Sequence, residues 1–320
     1  MTFCTYSRVA KARLRGGRGR PPNERLEQLN DQYSKVVSAD LKAGLTRFGS
    51  RVNYDHMADA VYSGDYSKIL ETLPWSSLPD DVAAAMQRLG ISADEASKVA
   101  ADQSPRGSRE SLSLGTDNPK LDHYLDVRSG ELVTNITDNV QVTIQQAVRR
   151  GIDAKGSPRD IADDITAHIK DSLGLNYRQE AALANYKAGL LEQGVGKREA
   201  KRLSSEYADR LFDQRAMMIA RTEVANAQNF AQLSVWQQAQ DEGLVPDGAL
   251  KIWVLDGDPC PQCIFISKTP VPVDEQFEDQ DGIGYDGPPA HPHCRCTLML
   301  DTSGGRNPPA LPANQQSDGE

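Results

Sequence analysis

Aromatic residues make up only 6% of the 320 residues and hydrophobic residues 38%, and no run of eighteen apolar residues occurs. So small an aromatic supply suits packed helices better than a large β-sandwich, and a mainly α chain is expected. Without a long apolar run there is no candidate membrane-spanning helix. The basic N-terminus is not followed by the apolar segment of a secretory signal. A soluble protein with a cytosolic place of synthesis and no membrane partner is therefore expected. Cysteine is also scarce, with five residues of which Cys4 stands apart. That distribution argues against a disulfide framework, whereas tight Cys-x-x-Cys and Cys-x-Cys spacings suit a metal in a reducing compartment.

Missing histidines exclude several catalytic classes. None lies between His168 and His291, so Pro259-Cys-Pro-Gln-Cys263 lacks the upstream His-x-Glu that supplies a nucleobase deaminase with its general acid/base. No His-Glu-x-x-His of a zinc protease is present. Thiol redox exchange at Cys260 and Cys263 calls for a βαβ setting, but a strand leads into this motif and a loop rich in Pro, Asp and Gly follows it. A nuclease using His291 or His293 as base, with Asp256 or Asp258 nearby, lacks a second acidic metal site. His56, His123 and His168 are isolated and receive no role.

What the chain does have is concentrated. Four of its five cysteines fall in one 37-residue window, as Cys260-Pro-Gln-Cys263 and His291-Pro-His293-Cys294-Arg-Cys296. Counting both histidines, six soft donors compete for the four positions of a tetrahedral zinc site. Cys260, Cys263 and Cys296 are the firmest ligands, with His291 or Cys294 as the fourth. A structural zinc clamping a small β module is the expected use, since metal-binding free energy in such modules is folding free energy. Charge is concentrated too. Residues 1–25 carry seven Lys/Arg against Glu24, or +6, which leaves −15 on the other 295 residues to give the net −9. Arg8, Lys11, Arg13, Arg15, Arg18 and Arg20 thus form a basic arm able to meet nucleic-acid phosphates through counterion release.

The punctuation suggests six segments: a basic disordered arm (1–24), an N-terminal helical region (25–102), a linker (103–120), a helical body (121–243), a Cys/His-clamped β module (244–301) and a disordered tail (302–320). Leu26, Leu29, Tyr33, Val36, Val37, Leu41 and Leu45 recur at helical spacing, with an end expected before Gly49. Further helices are expected over 54–73 and 79–89, with Gly90 as a stop and Ser92-Ala-Asp-Glu95 as a capping box opening another. Helices are also expected over 131–150, from Ser157 through Leu173, over 178–192, and from Lys197 to Glu242, the last about 65 Å long if unbroken. Leu250–Leu255 alternates like a strand, with Thr297–Leu300 as its partner, so the two Cys clusters would sit at adjoining strand ends.

Ile219-Ala-Arg-Thr-Glu-Val-Ala-Asn-Ala227 on a helix, then Trp253, Cys260-x-x-Cys263 and Pro288-Pro-Ala-His-Pro-His-Cys-Arg-Cys-Thr297, resembles the Mu F-like minor head proteins of tailed bacteriophages, including the SPP1-type proteins. The resemblance spans about residues 130–300; His293 stands where the family pattern has asparagine. It implies a head-morphogenesis protein present in few copies, assembled in the host cytoplasm and then held in the capsid interior near the portal vertex. Its implied partners are the portal protein, the scaffold or major capsid protein, and packaged DNA reached through the basic arm. No catalysis is implied. Arg221, Thr222 and Glu223 are expected to form a polar clasp and Trp253 to pack behind the zinc knuckle.

Overall fold

Leucine, alanine and valine recur at three- and four-residue steps through most of the chain, and in the computed structural model these stretches form long helices. The structure describes residues 22–104, 112, 114–153, 159, 162, 163, 166, 174–256 and 259–303; residues 1–21 of the basic arm, with Cys4, and the C-terminal tail from 304 lie outside them. Helices α1 (Pro22–Ser50), α2 (Tyr54–Ser63), α3 (Tyr66–Glu71), α4 (Leu78–Ala101), α5 (Pro119–Asp153), α6 (Tyr177–Glu192) and α7 (Lys197–Asp241) precede a small β module. The protein is mainly α with a C-terminal antiparallel sheet, as its composition predicts. Contacts divide it into two units. One comprises Met1–Lys35, Arg88–Asp122 and Ile219–Glu320, the other Val36–Gln87 and His123–Met218.

Three expected helix boundaries are overturned. Gly90 does not stop a helix and Ser92 does not cap one; both lie inside the single 24-residue α4. An interior glycine costs about 1 kcal/mol, whereas Val82, Leu89, Ala93, Ala96 and Ala100 are all buried along one continuous face. Burying that face outweighs the local cost. Buried Ser92 instead accepts a hydrogen bond from Gln228 Nε2 at 3.0 Å. Gly49 likewise stays within α1. The expected helix over 54–73 is two, because Gly64 takes a left-handed φ of 71° and Asp65 caps α3. Helix α5 starts at Pro119, where Asn118 Oδ1 accepts the Lys120 N–H at 2.9 Å. A proline in the first turn lacks only a donor that has no helical partner there anyway.

In the unit containing the β module, the later turns of α7 present Val224, Ala227, Ala231 and Trp236, all fully buried. Trp236 Nε1 donates to Ala100 O at 3.3 Å. Strands β1 (Leu250–Val254), β2 (Val271–Pro272) and β5 (Thr297–Asp301) form a sheet in the order β2-β1-β5. β1 and β5 pair antiparallel from Leu250↔Asp301 to Val254↔Thr297. Strands β3 (Phe277–Glu278) and β4 (Gly284–Tyr285) form a separate hairpin, and a short helix α8 (Pro261–Ile266) follows β1. The hairpin, β2 and α8 have no clear sequence signature, since elements of two to six residues are too short for a periodic pattern.

In the other unit, Leu175, Leu183, Ala208 and Leu211 form a cluster flanked by Tyr207 and Phe212. Arg215, almost fully buried, donates to Gly174 O at 2.7 Å, and burial lowers its pKa to about 10.

Candidate metal centre

The antiparallel register of β1 and β5 assembles the site. Val254 pairs with Thr297, so Cys296 sits at the mouth of the ladder while the chain leaving β1 reaches Cys260. Cys260 is the N-cap of α8 and its Sγ accepts the Cys263 N–H at 3.4 Å, with Pro261 in the first turn. This folds the first two thiols toward one point. On the other side His291 O accepts the Cys294 N–H at 3.1 Å, closing a turn in which His293 has φ 66°. That left-handed conformation is the one asparagine adopts most readily among non-glycine residues, and histidine tolerates it too. His293 therefore acts in this turn through its backbone conformation. It is exposed and joins no metal-binding group among the described residues.

Five donors converge as two triads that share Cys263: Cys260, Cys263 and His291, and Cys263, Cys294 and Cys296. His291 Nε2 lies 3.1 Å from Cys260 Sγ and 3.4 Å from Cys263 Sγ; Cys263 Sγ lies 3.6 Å from Cys294 Sγ. A zinc with bonds of about 2.3 Å to sulfur and about 2.0 Å to nitrogen sets tetrahedral edges of roughly 3.8 Å and 3.5 Å. The spacing and the soft donor set therefore suit such an ion. The His291 Nδ1 is 2.8 Å from Pro292 O, a second hydrogen bond that holds the ring with Nε2 facing the thiols.

The thiols also divide their charge. Hydrogen bonds from Cys263 and Cys296 bring Cys294 down to about 2. Cys263 rises through its bond to Cys294. Cys296 feels a lowering bond from Cys263, but its bond to Cys294 and its burial push it up to about 12. A divalent cation bound among these thiols would displace the protons they carry.

A polar brace locks the knuckle to the hairpin. Asp279 accepts the N–H groups of Ile283 at 2.9 Å and Asp281 at 3.0 Å, Gln262 Nε2 at 3.0 Å and the Tyr285 hydroxyl at 3.1 Å. Gln262 lies inside Cys260-Pro-Gln-Cys263, so the brace positions the first half-site. Trp253 is 1% exposed and packs edge-on against Phe277 at 5.3 Å and Tyr285 at 6.3 Å, on the same hairpin. Sequence reasoning missed Asp279, which stands among many surface acids without a motif. The Ile283 N–H, then Gln262, holds its carboxyl below the usual range. Such a group adds stability above its ordinary pKa of about 3.9 and loses it as pH falls through the lower folded value. The stability difference between the native chain and Asp279→Asn, followed by urea unfolding, should therefore be largest near neutrality and vanish toward pH 2. A constant difference would mean that the carboxylate charge is not what the brace uses.

Arg221 approaches Asp31 at 3.8 Å with both side chains partly exposed, too loose an ion pair to contribute much. Half-buried Thr222 and Glu223 have contacts of their own. Arg8, Lys11, Arg13, Arg15, Arg18 and Arg20 lie outside the described residues. Among the described residues no helix is long and apolar enough to cross a membrane.

Residues 191–299 match the family model described as Phage Mu protein F like protein. Over this span the chain is similar to the Mu F-like family. The matched segment takes in all of α7 and every donor of the metal centre, and it stops inside β5. No curated protein and no solved structure matches the chain.

Proposed function

We propose that the chain is a minor head protein of a tailed phage. In this reading it acts in head morphogenesis, docks near the portal vertex through its helices, and carries a β module clamped by one structural zinc. What carries the reading is that the Mu F-like match coincides with the segment holding the whole Cys/His centre. The helices support a scaffolding role: α7 alone runs 45 residues, about 67 Å at 1.5 Å per residue. The zinc takes four of the five donors, closing the coordination shell as structural sites do, and no catalytic step is assigned to it. The basic arm reaches packaged DNA, while portal, scaffold or major capsid protein meets the helical body.

Affinity purification of the tagged chain from infected or portal-expressing cells tests this. Portal protein should co-purify, and elemental analysis of the purified chain should return one zinc per molecule. Absence of portal protein from procapsid-stage material would overturn the assignment. So would magnesium-stimulated DNA cleavage that is lost in His291→Ala, which would make the chain a nuclease.

A further inference from the structure

The two triads of the metal centre meet at Cys263, whose Sγ lies 3.6 Å from Cys294 Sγ. All four cysteines of the centre are free. A disulfide holds its sulfurs about 2.05 Å apart, so modest rotations of the two side chains bring Cys263 and Cys294 into bonding range. Cys263 belongs to the first half-site and Cys294, 31 residues on, to the second. A bond between them would fasten the same two segments that a metal ion fastens.

The donors left behind decide what happens to the ion. With Cys263 and Cys294 linked, Cys260 and His291 remain of one triad and Cys296 alone of the other. Three donors are too few for a closed structural site, which takes four, and neither triad survives. Disulfide and metal are therefore mutually exclusive clamps in one place. A bond between Cys260 and Cys263 would also break both triads, yet it would tie the first half-site to itself and leave the second loose. Cys260 is moreover engaged as the N-cap of α8, where its sulfur accepts the Cys263 N–H at 3.4 Å.

We propose that Cys263 and Cys294 form a disulfide that replaces the ion when the chain passes from a reducing to an oxidising medium. The inference rests on the zinc clamp and the phage-head reading above, because a virion part is assembled among reduced thiols and then released outside the cell. Both thiols are buried, which restricts the oxidant to one scarcely larger than water, such as hydrogen peroxide. One thiolate attacks a peroxide oxygen; the O–O bond breaks, hydroxide departs and the sulfur becomes a sulfenic acid. The second thiolate attacks that sulfur, the S–S bond forms and a second hydroxide leaves. Two thiolates thus lose two electrons to one peroxide, and the two hydroxides balance the charge of the departing divalent ion. The module exchanges a coordinate clamp for a covalent one.

Hydrogen peroxide added to the zinc-loaded, full-length chain tests this. A zinc-binding dye should record the loss of the bound zinc, and two of the five cysteines should no longer react with an alkylating agent after unfolding. Trypsin cuts after Lys251, Lys268 and Arg295, which places Cys260 and Cys263 on one peptide, Cys294 on the next and Cys296 on a third. The first two peptides should be cross-linked, with Cys260 and Cys296 alkylated. In EDTA the oxidised chain should keep the near-ultraviolet dichroism of packed Trp253, Phe277 and Tyr285, and the reduced chain should lose it. Zinc retained with every thiol free would overturn the proposal, as would a link from Cys263 to Cys260 or Cys296, or an oxidised module that melts in EDTA. A reduced chain that holds no zinc before peroxide is added would contradict the zinc clamp itself and the exchange with it, a failure distinct from a loaded chain that does not cross-link.

Discussion

Cys263→Ser should leave the purified chain without zinc and melt the β module, with loss of the near-ultraviolet dichroism that Trp253, Phe277 and Tyr285 give when packed together. Cys263 is the one donor common to both triads, so no selection of four ligands from five omits it without dividing the site. The apolar content of residues 250–301 does not replace the ion. Its fully buried large side chains are few, chiefly Trp253, Phe277 and Leu298, and one of the neighbouring interior positions is Lys251, whose Nζ donates to Asp286 O at 2.8 Å. Burial lowers the pKa of that lysine, although Asp286 and Asp274 oppose the shift. Structural zinc in isolated fingers contributes about 10–16 kcal/mol of apparent binding free energy at neutral pH, and where metal and fold are coupled that is folding free energy. Cys260→Ser and Cys294→Ser leave the other triad whole and should lower affinity without abolishing it. Full zinc occupancy and an unchanged melting profile in Cys263→Ser would show that the metal does not need Cys263 and would overturn its place as the shared ligand.

Gly44→Ala is expected to destabilise the helical unit of Val36–Gln87 and His123–Met218 by about 3 kcal/mol, lowering its unfolding midpoint by roughly 6–12 °C. A Cβ at Gly44 would stand 1.9 Å from Asp81 O and 2.8 Å from Asp81 C, both backbone atoms that cannot rotate aside. Helices α1 and α4 would have to separate there. The carboxylate at their contact is itself buried, with Asp81 1% exposed, and it is held by Arg47 Nε at 3.2 Å, Arg51 Nη1 at 2.7 Å and the Ser77 hydroxyl at 3.2 Å. Arg47 Nη2 also donates to Asp81 O at 3.1 Å. Moving α4 outward strips a buried charge of its donors, and losing a partner of such a charge costs several kcal/mol when both sides are buried. The two arginines are about half exposed, which reduces that figure and sets the estimate near 3. Gly130→Ala is the internal control: nothing lies within 4 Å of the added methyl, so the helix should gain up to about 1 kcal/mol. Thermal unfolding of the two variants side by side decides the matter. A Gly44→Ala chain as stable as Gly130→Ala would show that α1 and α4 do not meet at this point.

Much of this molecule is legible in one dimension because its long elements repeat. Helices α6 and α7 lie within a residue or two of the expected ranges, since glycines bound the segments and α7 has no internal glycine or proline. The β1–β5 pair was legible as well: alternation and β-branching mark Leu250–Val254, and the Cys clusters had to meet for any metal to be held. The Cys/His clusters at 260–296 are visible in the sequence as six candidate soft donors, and the fold brings five of them into two triads that could hold a metal ion. Gly90 shows the limit of local rules. It reads as a stop only until the buried face running from Val82 to Ala100 is seen to continue through it.

Tertiary structure decided the rest. Which donors group together depends on the register of β1 and β5 and on the left-handed turn at His293, and neither is encoded in spacing. The Asp279 brace and the Gly44–Asp81 contact unite residues that are far apart in the chain and carry no motif, so only packing brings them together. Local periodicity and side-chain chemistry depend on neighbours in sequence, and so the sequence by itself determined the long helices and marked the Cys/His clusters as candidate metal donors. Hydrogen-bond satisfaction, close backbone approach and shared ligands depend on neighbours in space, and these the fold alone could assign.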